Sequence, residues 1–363
     1  MSADDRNASR DAGTPGLDLD ALTAWLDAHH PGLRQGPLRA SLLAGGRSNL
    51  TYALDDDEHR WVLRRPPLGH VLATAHDMVR EHRVIRALHA RQTLPSGGVP
   101  VPAPVLICAE GSPLGVPFYV MDRVEGRVLR SREDLLAVPE PERRPLSERL
   151  VDTLAALHAV DPAEAGLADF GRPQGFGERQ VARWSRQLAA SRSREVPGID
   201  RLAEGLAAAV PTPPRATVVH GDFRLDNLLV LTDDWSVAAV LDWEMATLGD
   251  PLTDLGLLLV YWGGSGRHPG SEADAALSAV ADTPSSVPGF APAAHLVERY
   301  AATTGLDVSG LPWYVAFGYF KLAVILEGIH YRFSHGQTVG SGFERIGAVV
   351  PGLVAAGHEA LAG

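Results

Sequence analysis

The chain has one cysteine, one lysine and no apolar run long enough to span a bilayer comfortably. A single thiol, Cys108, excludes an internal disulfide framework and fits a reducing compartment, where a lone cysteine serves as a small buried hydrophobe. The amino-terminal stretch MSADDRNASRDAGTPG has no basic region followed by an apolar core, so no secretory signal is read and a cytoplasmic location is expected. The most apolar segment, Trp313 to Ile329, is interrupted by Lys321 and Glu327 and reads as a buried helix. No repeat at solenoid spacing is visible. All but one of the 33 basic residues are arginines, so any role that usually falls to lysine passes to arginine or stays vacant. A net charge of −11 argues against a dedicated nucleic-acid surface and leaves a small-molecule partner open. Neither nucleic acid nor membrane is an expected partner.

With 363 residues and 45% hydrophobic content, the chain can bury a substantial core and divide into two lobes. Its organising stretch is Val218 to Glu244, VVHGDFRLDNLLVLTDDWSVAAVLDWE. The apolar runs Leu228 to Leu231 and Val237 to Leu241 suit buried strands, and the polar turn Thr232-Asp233-Asp234-Trp235 joins them into a β-hairpin. A hairpin returns the chain to its start, so Asp222, Asn227 and Asp242, just outside its open ends, are expected on one rim. Two carboxylates and an amide oxygen form a hard-oxygen set of the kind that holds Mg²⁺ against phosphate oxygens and leaves one carboxylate to orient a nucleophile.

Upstream, Leu17 to His29 reads as a short helix capped by Asp18 or Asp20. Strand, tight loop and strand follow, with Gly45-Gly46-Arg47-Ser48-Asn49 as the loop and Arg60 to Arg64 as the next strand. Paired glycines let backbone approach a ligand, and Ser48 and Asn49 offer donors to phosphate; an ordinary hairpin loop explains the same residues. In the helix His76 to Ala90, Glu81 falls on the apolar stripe of Met78, Val84, Ile85 and Leu88. A carboxylate there needs a cation, and Arg64 is the natural partner; the alternative is a solvated glutamate among neighbouring arginines. Strands are also expected over Val105 to Ala109 and Pro117 to Met121, with the lobe boundary in the link Asp122 to Gly126.

In the second lobe, Leu146, Leu150, Leu154 and Leu157 mark a packing helix with Ser147 as its candidate cap. Arg179, Arg183 and Arg186 recur on one helical face, either as a solvated surface or as a site for an anionic substrate group. Asp250 before Pro251 is an N-cap signature, and Asp254 sits in the first turn that follows, where the helix dipole favours it. A long loop or flap is expected from Gly263 to Ala294, with one short helix at Glu272 to Val280, and two later helices over about 293–304 and 312–333. Lys321, on the last of these with Glu327, reads as half of a buried structural pair; the alternative is a substrate contact.

Taken together, Gly45 to Asn49, WVLRRPP, Glu81, PFYVMDRVEG, HGDFRLDN and VLDWEMATLGDPLTDLG resemble, in order, the kinase-like aminoglycoside phosphotransferase superfamily. VLRRPPLGHVL, AHDMVREHRV and WYVAFGYFKLAVILEGI bring the chain nearest to the branch of kinase-like domains attached to some acyl-CoA dehydrogenases. The resemblance implies an α+β, two-lobed protein-kinase-like fold: a tail at 1–16, a small β-rich nucleotide-binding lobe at 17–124 with one key helix, and a larger, mainly helical catalytic and substrate lobe at 125–363. It implies ATP and Mg²⁺ as cofactors and a small-molecule hydroxyl as acceptor. By motif position Asp222 would be the catalytic aspartate, and Asn227 and Asp242 would hold the metal. Gly45, Gly46, Ser48 and Asn49 would meet phosphates, Arg64 paired with Glu81 would clamp them, and backbone around Asp122 to Val124 would meet adenine. His220 would hold the loop, while Arg224 is open between loop support and phosphate contact. The pattern departs from the family in carrying arginine at the clamp position and a single glycine pair in the loop. The expected activity is a small-molecule kinase, with a hydroxyacyl-CoA or other anionic hydroxyl compound as acceptor. An aminoglycoside-type antibiotic kinase and a nucleotide-binding pseudokinase are the alternatives.

Overall fold

A computed structural model of the chain describes residues 14–43, 49–68, 77–92, 98–263, 282–337 and 343–363. The chain forms two compact units, one of residues 1–92 with 101–125 and one of residues 93–100 with 126–363.

The first unit is built on an antiparallel sheet of β1 (Arg39–Leu42), β2 (Leu50–Asp55), β3 (Arg60–Arg65), β4 (Pro104–Cys108) and β5 (Phe118–Asp122), in the order β1-β2-β3-β5-β4. Side chains alternate across a strand, so Tyr52 and Leu54, Trp61 and Leu63, and Phe118 and Val120 share one core with Leu22 and Leu26 of helix α1 (Leu19–His29). Helix α1 starts at Asp18, whose carboxylate accepts the Ala21 N–H at 2.9 Å. Helix α2 (Met78–His89) packs on β4 and β5, and its His82 ring lies 5.9 Å from that of Tyr119. Of the expected tail, only residues 14–16 are described. The carbonyls of Pro15 and Gly16 accept from the Tyr52 hydroxyl and the Arg65 guanidinium, which ties residues 14–16 to the sheet.

The second unit is mainly helical, with α3 (Arg132–Ala137), α4 (Glu140–His158), α5 (Phe176–Ala190), α6 (Ile199–Ala208), α7 (Leu252–Gly263), α8 (Ala293–Thr304), α9 (Leu311–Ser334) and α10 (Ile346–Ala362). Two small antiparallel ribbons interrupt the helices: β6 (Thr217–Val219) with β9 (Thr247–Gly249), and β7 (Leu228–Val230) with β8 (Val237–Val240). The second ribbon is the expected hairpin, turning through Trp235 at φ 56°. Helix α9 is buried along nearly its whole length from Leu311 to Gly328, as its sequence predicts. It meets α7 at a glycine contact: a methyl group on Gly256 would lie 2.6 Å from the Tyr314 backbone. That spacing lets the two helix backbones approach closely.

The structure overturns two expectations and adds two helices that local pattern did not mark. Ser147 is no cap, because α4 begins seven residues earlier at Glu140. The Ser147 hydroxyl instead donates to the Arg143 carbonyl at 2.7 Å and accepts the Ala291 N–H at 3.1 Å, deep in the unit. Helices α6 and α10 were not anticipated. Gly198 opens the first at φ 80°, and Pro351 with several glycines weakens the local helix signal of the second, so packing decides both. Finally, Lys321 does not pair with Glu327. The Glu327 carboxylate is 1% exposed and receives Arg194 at 2.7 Å. The expected short helix at Glu272 to Val280 lies outside the described residues.

Candidate active site

The loop between β6 and β7 carries His220, Gly221 and Asp222, and its conformation follows from what holds each peptide. Gly221 sits at φ 83°, and a methyl group there would lie 2.7 Å from the Met245 carbonyl, so only glycine fits. The buried Asp254 carboxylate, at the start of α7, accepts the His220 N–H at 2.6 Å and the Gly221 N–H at 2.8 Å. The His220 ring accepts the Asp222 N–H on Nδ1 at 3.2 Å and donates from Nε2 to the Leu241 carbonyl at 2.8 Å. These partners select the tautomer with its proton on Nε2. Trp243 and Phe223 flank the same ring, with centroids 4.6 and 5.9 Å away. His220 therefore acts as a strut, as its motif position implied.

Asp254 is itself anchored from α4. His158 Nε2 donates to it at 3.2 Å, and the Tyr300 hydroxyl on α8 donates to His158 Nδ1 at 2.6 Å. Both His158 and Asp254 are fully buried. Burial lowers the pKa of the His158 imidazole, outweighing the upward pull of Asp254. Burial pushes Asp254 upward, but the hydrogen bonds from the His158 ring and from the His220 N–H outweigh it and hold the carboxyl below its ordinary value. A neutral imidazole donating to an ionised carboxylate satisfies both directions.

Asn227 ends a short helical turn, Leu225–Asn227. Its side-chain nitrogen donates to Asp222 Oδ2 at 3.0 Å and to the Asp222 carbonyl at 2.8 Å. The amide oxygen is thus the Asn227 atom left to face a cation. Its backbone carbonyl accepts the Leu241 N–H at 2.8 Å, and the Leu241 carbonyl is the one His220 holds. The hairpin register thus sets Asp242 directly after Leu241, whose N–H and carbonyl are both held. Asp242 takes φ 65°, ψ 61°, a left-handed conformation that costs a non-glycine residue about 1–2 kcal/mol.

Arg224 leans on this loop from the exposed side. Its guanidinium lies 2.6 Å from Asp226 and 3.7 Å from Asp222, over the Tyr261 ring at 4.5 Å. These contacts tie Arg224 to the loop. Lys321 reaches in from α9, donating to the Gly221 carbonyl at 2.6 Å.

In the first unit, Arg64 and Glu81 are buried and form an ion pair at 3.0 Å, as the apolar stripe of α2 required. Asn49 is buried just before β2, while Gly45, Gly46 and Ser48 lie outside the described residues. Asp122 closes β5 with its N–H on the Ala103 carbonyl at 2.8 Å, and Val124 follows outside any regular element. Arg179, Arg183 and Arg186 are exposed on α5. Arg179 is engaged locally, donating to the carbonyls of Arg172 and Gln174. Arg183 lies over the Trp184 ring at 5.6 Å, the ring that also receives Lys321 at 5.5 Å.

Asp254, Lys321 and His158 fix the loop; the sequence reads Asp254 as a first-turn residue and Lys321 as part of a buried pair, and gives no reading for His158. Asp254 had a signal: it stands in LTDLGLLLVYW, an otherwise apolar helix that must be buried, so its carboxylate needed partners. The argument applied to Glu81 holds there unchanged.

The sequence profile of the phosphotransferase enzyme family matches residues 39–290. The chain belongs to the phosphotransferase enzyme family. The chain is 34% identical over 327 residues to acyl-CoA dehydrogenase family member 11 of Rattus norvegicus, a match covering 88% of this chain and 40% of that protein. It therefore spans about two-fifths of the length of that relative. Among solved structures it resembles a provisionally assigned aminoglycoside phosphotransferase from Ralstonia eutropha, with a TM-score of 0.75 and 30% identity over 94% of this chain and 98% of that one. Aminoglycoside 2'-phosphotransferase-IIIa, solved as its GDP complex, shares the fold with a TM-score of 0.60 at 14% identity, covering 93% of this chain and 99% of that one. The α+β kinase-like fold expected from the motifs is the fold of this chain. Among the described residues no helix is long and apolar enough to cross a membrane.

Proposed function

We propose that this protein moves the γ-phosphoryl group of ATP, in the presence of Mg²⁺, to a hydroxyl of a small molecule. The observation that carries the reading is the bonded set at the hairpin mouth: Asp222 held at 3.0 Å by the Asn227 amide, with the Asn227 carbonyl fixed by the peptide before Asp242. Asp222 keeps part of its carboxylate exposed, 28% by side chain, so an acceptor can reach it. In this role Asp222 orients the acceptor hydroxyl and takes its proton. Asn227, through its amide oxygen, and Asp242 would hold the metal.

The donor chemistry suits Mg²⁺. Among the described residues no group of three or more His, Cys, Asp or Glu side chains forms a metal cage. One carboxylate and one amide oxygen, completed by phosphate oxygens and water, is the usual pattern for that ion. When bound, Mg²⁺ neutralises charge on the phosphates of the nucleotide.

Residues 17–124 are assigned to nucleotide binding and 125–363 to catalysis and acceptor binding. Arg64, aimed by Glu81, serves as the phosphate clamp. Gly45, Gly46, Ser48 and Asn49 also contact phosphates, and backbone from Asp122 to Val124 meets adenine. For the acceptor we favour a hydroxyacyl-CoA or another anionic hydroxyl compound. Arg183 and Arg186, exposed on α5, suit its phosphates, and the acyl-CoA dehydrogenase name of the relative supports the same class. Arg179, occupied by two carbonyls, shapes the start of α5 and contributes charge.

The test uses Asp222→Asn. ATP with Mg²⁺ should raise the melting temperature of wild type and variant alike, while product forms only with wild type across a panel of hydroxyacyl-CoAs and aminoglycosides. Undiminished transfer by the variant overturns the role of Asp222. Transfer to aminoglycosides alone, or acyl-CoA turnover unchanged by R183Q/R186Q, overturns the acceptor class. Binding of nucleotide without transfer to any acceptor favours a regulatory protein.

A further inference from the structure

The chain's single lysine stands where an ammonium is costly. Lys321 is 7% exposed, on a stretch of α9 buried on all sides, and its expected partner Glu327 belongs to Arg194. Its ammonium reaches the carbonyl of Gly221 at 2.6 Å, the residue directly before Asp222. The Trp184 ring of α5 lies 5.5 Å from the same nitrogen. The charges that face it are Asp222 and Arg224 from the loop, Asp254 from α7 and Arg183 from α5. Burial pushes the ammonium below its ordinary range, while the two carboxylates pull it back towards the charged form.

The bond matters because of the residue it holds. Gly221, at φ 83°, is the most permissive joint in the loop. The peptide before it is fixed by the bond from its N–H to Asp254 at 2.8 Å. The peptide after it, which carries Asp222, is fixed at its N–H by His220 at 3.2 Å and at its carbonyl by Lys321 at 2.6 Å. We propose that Lys321 is a positioning residue for phosphoryl transfer: by holding the Gly221 carbonyl it sets the plane of the peptide that aims the Asp222 carboxylate, and its charge lies alongside Asp222 and Asp254. This rests on the reading of Asp222 given above.

One lysine makes the test direct. The full chain labelled with [¹³Cε,¹⁵Nζ]-lysine has one lysine side-chain signal. That signal should lie away from its position in the urea-unfolded chain and move again in Asp222→Asn, which leaves Lys321 in place. A native signal at the unfolded position, or one that D222N leaves unmoved, overturns the proposal. Hydrolysis of MgATP with water as acceptor supplies the second arm. Lys321→Met should lower kcat about tenfold or more with KM for MgATP within about threefold, since transition-state aim is lost and ground-state binding is kept. Lys321→Gln, which retains a donor without the charge, should fall between Met and wild type, and the signal of the unmutated lysine decides the matter if Lys321→Met fails to fold. Wild-type kcat in K321M and K321Q, alongside loss of turnover in D222N, overturns the role of Lys321 alone. Wild-type turnover in D222N overturns the reading of Asp222 itself.

Discussion

Replacing Asp254 by asparagine changes no shape and removes one charge, which makes it a sharp probe of how the catalytic loop is held. The carboxylate accepts three donors: His220 N–H at 2.6 Å and His158 Nε2 at 3.2 Å on one oxygen, and Gly221 N–H at 2.8 Å on the other. An asparagine keeps one oxygen. If it faces His220 and His158, the amide NH₂ meets the Gly221 N–H and a buried donor is stranded. Losing a bond to a charged acceptor costs about 1.5–3 kcal/mol and the stranded donor about 1–3 kcal/mol more. Relief of the desolvated charge offsets part of this. A net loss of about 2–4 kcal/mol is expected, a large share of a typical stability of about 5–15 kcal/mol. Urea unfolding at pH 7, followed by tryptophan fluorescence and far-UV circular dichroism, measures it through the midpoint and slope. A loss below about 0.5 kcal/mol, within the ordinary effect of a surface substitution, refutes the account of Asp254 as the loop's anchor.

The same pair sets an acid limit. His158 is held below its ordinary 6.5 and Asp254 below its ordinary 3.8, so in both cases the unfolded chain takes up the proton first. The stability they contribute is present above those values and is lost as pH falls, beginning with His158 below about 6.5. The urea midpoint should hold steady from pH 8 to 7 and drop between 6.5 and 5; a level midpoint across that window counts against it. In the first unit, Arg64→Met removes an ion-pair partner of Glu81, which is 1% exposed, and should destabilise by about 3–5 kcal/mol. R64M/E81Q should recover part of that loss, and a double variant weaker than R64M shows that the pair is not what holds Glu81.

Local pattern made a good deal of this protein legible. The hairpin came from two apolar runs and a polar turn, and its register places Asn227 and Asp242 near each other because strand pairing is set over a few residues. Glu81 on an apolar stripe called for a cation, and Arg64 supplies it at 3.0 Å. The α6 and α10 helices were missed because glycine and proline weaken local propensity there, and packing against neighbours outweighs it.

The sequence by itself determined the order of motifs, the membership of the phosphotransferase family and the residue types at the hairpin mouth, all of which depend on neighbours close in the chain. Only the tertiary structure decided which buried charge meets which partner. Lys321 bonds a carbonyl 100 residues earlier, Glu327 takes an arginine 133 residues away, and Asp254 holds an N–H 34 residues back. A helical period says that a charge is buried. Which loop or helix face it then finds depends on how whole elements pack, and no local pattern carries that.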